Sequence, residues 1–105
     1  MSYSLEHIVF LSLKDNLSDQ DLDKINENIQ RAKTIPGVVD ITLQKNLCPI
    51  KNGGFNNIFK VVFQDPTDYE NFKTHPLHLE LSSSFMKFIV DGNFIIGDYL
   101  IPKVN

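Results

Sequence analysis

Apolar residues recur along the chain with two different periods, and the switches between them mark out its elements. Leu5 to Leu13 is rich in β-branched and aromatic residues. Leu5, His7, Val9, Leu11 and Leu13 fall on one side and Ile8 and Phe10 on the other, so a strand apolar on both faces is predicted. From Ser18, an N-cap candidate followed by Asp19 and Asp21, the period changes to that of a helix. Leu22, Ile25, Ile29 and Ala32 form its apolar stripe, while Asp23, Lys24, Glu27, Asn28 and Arg31 take the remaining positions. Ile35-Pro36-Gly37 ends it, because proline cannot continue the hydrogen-bond ladder and glycine permits a tight reversal.

Alternation returns over Val38 to Leu47, with Val39, Ile41 and Leu43 on one face, and again over Ile58 to Gln64, with Phe59, Val61 and Phe63 on one face. The stretch between them, with Pro49, Gly53 and Gly54, reads as a loop joining an antiparallel pair. Asp65-Pro66 then opens a short helix carrying Tyr69 and Phe72. Pro76 has no N–H to give and pushes His75 out of the helical region, so one helix stops there and another starts. Leu77, Leu81, Phe85 and Phe88 give the second helix its stripe, with His78 at the stripe's edge. Asp91-Gly92-Asn93 is expected to turn the chain into a last strand, Phe94 to Ile101.

The order is β-α-β-β-α-β with the second helical segment broken in two. It predicts an α+β, ferredoxin-like protomer: a four-stranded antiparallel sheet with its helices on one face. With 105 residues the chain is expected to be a single domain over residues 1–105. The helices cover one sheet face only, yet several strands are apolar on both. Leaving that surface wet forgoes many kcal/mol at ~25 cal/mol per Å² of apolar surface, so a second copy packing sheet to sheet is expected.

Composition narrows the function classes. A net charge of −3 with no basic run gives no footprint for nucleic acid. No apolar run approaches the ~20 residues that span a bilayer, and the N-terminus has no secretory pattern, so a cytoplasmic protein is expected. Cys48 is the single cysteine, and no Cys/His spacing resembles a metal site. Neither cofactor nor metal is expected.

The histidines are the candidate chemistry. His78 is either a general base or a residue that packs the start of its helix. His7, in an aliphatic row, reads as a neutral ring satisfied by one backbone partner, and His75 as the cap before Pro76. A cavity among Tyr69, Phe72 and the two histidines suits a small apolar or aromatic ligand, with His7 and His78 as its polar fixtures. Asp98, polar in an apolar strand, reads as an acceptor across the sheet or from a partner protomer.

The fragments His7-Ile8-Val9, Leu13-Lys14-Asp15, Ile35-Pro36-Gly37-Val38, Phe63-Gln64-Asp65, His75-Pro76-Leu77-His78 and Asp98-Tyr99, in this order and spacing, resemble the stress-responsive A/B barrel (Dabb) family of the dimeric α/β-barrel group. The resemblance implies a homodimer that joins sheet to sheet into an α/β barrel, with a cavity between sheet and helices in each protomer. It also implies two readings of function. One is a ligand-binding or stress-associated module without catalysis, the reading preferred on the sequence alone. The other follows a plant polyketide cyclase of the family: a cofactor-free cyclase or lyase with His78 as general base, His7 in the cavity, and Phe72 where that enzyme carries a tyrosine. Phe72 has no hydroxyl, and loss of one oxyanion donor typically costs ~10²–10³ in rate. Some members hold a cation on backbone carbonyls after the first helix, here residues 32–38; no metal is expected on that ground alone.

Overall fold

A computed structural model describes residues 2–104. Its elements run β1 (Tyr3–Leu13), α1 (Asp19–Ala32), β2 (Val38–Lys45), β3 (Asn57–Phe63), α2 (Pro66–Lys73), α3 (Pro76–Phe88) and β4 (Ile89–Pro102). The four strands form one antiparallel sheet in the order β2-β3-β1-β4, the ferredoxin-like arrangement expected from the element order. Among the described residues no helix is long and apolar enough to cross a membrane.

The helix starts follow their local signals. Ser18 closes a capping box on α1: its hydroxyl accepts from the Asp21 amide at 3.1 Å, and its own amide donates to the Asp21 carboxylate at 3.0 Å. Asp65 caps α2 through the Thr67 amide at 2.9 Å, with Pro66 in the first turn. His75 caps α3, its Nδ1 accepting from the Leu77 amide at 3.1 Å. At the reversal after α1, Gly37 takes a φ of +86°, and a Cβ there would lie 2.0 Å from the Asp68 side chain, so the connection requires glycine.

The core lies between the helices and one sheet face. Leu5, Leu11 and Leu13 of β1, Ile41 of β2 and Phe59, Val61 and Phe63 of β3 meet Ile25, Ile29 and Ala32 of α1 and Phe72, Leu81 and Phe85 of α2 and α3. The structure departs from the sequence reading at four places. Leu22, placed on the α1 stripe, is exposed, and Asn28, placed on the polar side, is buried to 3% exposure. The stripe therefore rotates toward α3, which packs against α1. Val39, assigned to the inner face with Ile41, is exposed because the β2–β3 register shifts between Val38 and Asp40 and reverses the alternation there. Residues 91–93 are not a turn. β4 begins at Ile89, directly after α3, and its register against β1 shifts between Leu11 and Leu13, with Gly92 at a φ of +61°. The predicted turn signal is an irregularity within a paired strand.

Candidate functional site

The antiparallel register of β1 and β4 sets His7 directly opposite Asp98. Cross-strand partners share a face, so both side chains reach the side on which α2 lies. His7 Nδ1 stands 2.6 Å from Asp98 Oδ1. The Tyr69 hydroxyl, carried across by α2, donates to Asp98 Oδ2 at 3.1 Å and lies 3.1 Å from His7 Nδ1. Burial and the neighbouring Asp98 charge push the Tyr69 phenol up to about 12, which keeps its proton on and makes it a donor. A carboxylate only accepts, so Nδ1 of His7 carries the hydrogen and Nε2 is left free. The expected single backbone partner of His7 is thus corrected: a carboxylate and a phenol hold the ring instead.

His78 is fixed by a different device. The cap at His75 and the ring of Pro76 start α3 so that its first turn lies over the end of α2. His78 Nδ1 then meets the Lys73 carbonyl oxygen at 3.1 Å. A carbonyl cannot donate, so Nδ1 holds the hydrogen here too, and Nε2 remains as an unprotonated acceptor. Burial holds the half-buried imidazole below its ordinary value; the Lys73 carbonyl pulls weakly the other way, and the nearby His7 ring adds to the lowering. The ring is neutral at pH 7.

Both histidines line one cavity of about 130 Å³ between the sheet and α3. Its remaining walls are apolar apart from Ser82: Val9 and Leu11 of β1, Phe59 of β3, Leu81, Phe85 and Met86 of α3, and Ile89, Phe94 and Ile96 of β4. The other two residues expected at the pocket stand behind the histidines. Phe72 is 1% exposed, with its ring 4.4 Å from that of His78 and 5.0 Å from that of Phe63. Tyr69 packs 5.1 Å from both His7 and Phe63. Phe72 therefore packs against the His78 ring and does not itself line the cavity. Asp98 completes the site. Its signal in the sequence was a lone carboxylate in an apolar strand, but the partner lies 91 positions away and only the strand register names it.

His75 is engaged as a cap and does not line the cavity. In the turn after α1, the carbonyls of Arg31, Ala32 and Ile35 accept amides within the turn, and that of Gly37 accepts the Gln64 amide. Among the described residues no group of three or more His, Cys, Asp or Glu side chains is placed to hold a metal ion.

The sequence model of the stress-responsive A/B barrel domain matches residues 5–99. Comparison with curated proteins gives no match. Among solved structures, a hydroxynitrile lyase from Passiflora edulis superposes with a TM-score of 0.79 at 23% identity, covering 100% of this chain and 99% of that one. A Dabb family protein with a ferredoxin-like fold from Mesorhizobium loti gives 0.75 at 18% identity, covering 97% and 99%. A dimeric ferredoxin-like protein of unknown function from Thermobifida fusca gives 0.74 at 11% identity, covering 96% and 93%. At these identities the likeness establishes the fold, and function must be argued from the site.

Proposed function

The chain belongs to the stress-responsive A/B barrel domain family, and from that premise we propose that the protein is an acid–base lyase acting on a small apolar or aromatic carbonyl adduct, with His78 as general base. The observation that carries the reading is the state of His78. Its Nδ1 is committed to the Lys73 carbonyl, burial keeps the ring neutral, and Nε2 is the free nitrogen of a residue lining the cavity. A neutral imidazole in that position accepts a proton without first having to lose one. His7, oriented by Asp98 as a base is oriented by its carboxylate in a triad, supplies a second imidazole whose charge the carboxylate compensates when it takes up a proton.

In the reaction proposed, the hydroxyl proton of the adduct moves to His78 Nε2 and the oxygen closes its carbonyl. The bond from the carbinol carbon to its substituent breaks, and the electron pair leaves with the substituent. The leaving carbanion is then protonated by His78, which returns the proton it took from the hydroxyl, so the protons balance and no external electron acceptor is needed. Cleavage of a cyanohydrin, the reaction type in the name of the Passiflora enzyme, and retro-aldol cleavage both have this form. A closed apolar cavity of ~150 Å³ holds benzene, and the cavity here, at about 130 Å³, suits a molecule of similar bulk.

The reading without turnover keeps one specific support: Phe72 places no hydroxyl beside His78 to bind a developing oxyanion. A panel of aryl and short alkyl cyanohydrins and β-hydroxyketones tests both. Cleavage is expected to fall by about 10²-fold or more in His78→Ala, a size typical of a lost general base. Asp98→Asn should lower it strongly, and His75→Ala should leave it within a few-fold of the parent. Saturable binding of the same compounds with no release of aldehyde or ketone would leave the carrier reading standing and remove the enzyme.

The family's dimeric relatives and the apolar outer face of the sheet also support a homodimer for this chain.

A further inference from the structure

The cavity shared by His7 and His78 is short of hydrogen-bond donors. In each neutral ring Nδ1 commits its hydrogen to a fixed partner, Asp98 for His7 and the Lys73 carbonyl for His78, so each Nε2 only accepts. Ser82 is the remaining polar residue of the lining, and its hydroxyl both donates and accepts. It follows His78 by four positions on α3, which sets the two side chains one turn apart on the same face of the helix. A gradient of burial runs through the same cavity. Leu11, Phe59, Leu81 and Phe85 are buried and make an apolar floor, whereas His78 is half-buried and Ser82 is exposed at the mouth. A small aromatic ligand therefore seats its ring on the floor and keeps its oxygen toward the mouth, beside His78 and Ser82.

We propose that Ser82 is the oxygen-binding residue of this cavity, its hydroxyl donating to the oxygen of a bound carbonyl or carbinol. A carbonyl oxygen only accepts, so neither Nε2 can partner it and Ser82 can. A carbinol hydroxyl does both: it gives its hydrogen to His78 Nε2 and receives one from Ser82. The ligands selected are small aryl or alkyl compounds that carry an oxygen on the carbon next to the apolar group. The part Ser82 plays in turnover rests on the lyase reading, whereas its part in binding does not. As His78 takes the hydroxyl proton, negative charge grows on the oxygen and the hydrogen bond from Ser82 strengthens. Ser82 keeps its own proton throughout, and the proton on His78 passes to the leaving carbanion, so the balance of the reaction is unchanged. The donor that Phe72 does not supply thus comes from α3.

Benzaldehyde and styrene test the assignment, because they differ by an oxygen in place of a methylene group. Their dissociation constants are measured by NMR titration at pH 8, above the ordinary imidazole value, in the parent protein, Ser82→Ala and Ser82→Thr. Ser82 is exposed and alanine is the better helix former, so Ser82→Ala should fold as the parent does. It is expected to lower the preference for the aldehyde by about 5- to 10-fold, the size of one hydrogen bond. Ser82→Thr keeps the hydroxyl and should retain most of the preference. Cleavage of benzaldehyde cyanohydrin by the same proteins reads the catalytic part, and kcat should fall by about 10-fold or more in Ser82→Ala with a smaller change in KM. A preference lost in Ser82→Ala, with no turnover by the parent, would remove the lyase reading and keep Ser82 as the oxygen's donor. An equal preference in the parent and Ser82→Ala, or no binding of benzaldehyde to the parent, would overturn the assignment whatever the turnover.

Discussion

At the scale of single residues, His78 gives stability a pH dependence whose sign follows from its surroundings. The unfolded chain takes up a proton near the ordinary histidine value of 6.5, whereas the folded ring, held lower by burial, resists it. As pH falls through 6.5 the unfolded state therefore binds more protons than the folded one, and stability falls with it; above that value this group contributes no slope. Urea unfolding from pH 8 down to pH 5 should show a midpoint that declines below about 6.5, the ordinary imidazole value. The decline should be shallower in His78→Gln, and identical slopes in the two proteins would mean that His78 is not the group responsible. The same lowering places the acid limb of any His78-dependent rate below 6.5, measurable as the pH profile of kcat/KM. His78 was legible as a candidate because its neighbours in sequence, Pro76 and the Leu77–Leu81 stripe, fix its place on the helix. Its partner atom was not, since the Lys73 carbonyl is freed only by the way α2 ends. Asp98 and Tyr69 were harder still: their meeting with His7 depends on strand register and helix placement, and neither leaves a local mark.

At the scale of elements, the break between α2 and α3 is held by one side chain. His75 caps the Leu77 amide, while its carbonyl receives the amides of His78 and Leu79 at 3.0 and 3.1 Å. His75→Ala removes the side-chain cap and should cost about 1 kcal/mol in urea or thermal unfolding, and His75→Ser should restore most of it. An unchanged stability in His75→Ala would mean that Pro76 alone sets the start of α3. Starts of this kind were readable from the chain, as were those at Ser18 and Asp65, because a cap and the amide it serves lie within three residues. The β-bulges were not readable. Whether Val39 faces in or out depends on how β2 meets β3, and whether Gly92 turns the chain or bends a strand depends on β1 beside it. Asn28 was misplaced for a related reason. A single-helix stripe defines the side facing the sheet, but the position of α3 decides which flank of that stripe is also covered.

At the scale of the whole molecule, the helices cover one side of the sheet and leave the other bare. Ile95 stands across from Phe10 on that outer side at 56% exposure, and Tyr99 and Ile101, farther along β4, remain open at 46% and 36%. The polar group in their midst is already satisfied: Glu6, whose side chain is only 15% exposed, accepts from the Tyr99 hydroxyl at 2.7 Å and lies 3.5 Å from Lys60 Nζ. A carboxylate paired in this way costs less to cover than a bare one, so the face suits burial against another apolar surface. A second copy is the occupant consistent with a two-fold, self-complementary contact. Sedimentation at micromolar concentration should therefore give twice the 12.0 kDa of one chain. Ile95→Lys places a charge opposite Phe10, at the middle of the face, and should shift the protein toward the monomer without unfolding it, because Ile95 lies outside the core. If the parent protein sediments as a monomer, the outer face is not what closes the molecule. If Ile95→Lys stays as fully dimeric as the parent, the contact does not run over the Phe10–Ile95 centre of the outer face.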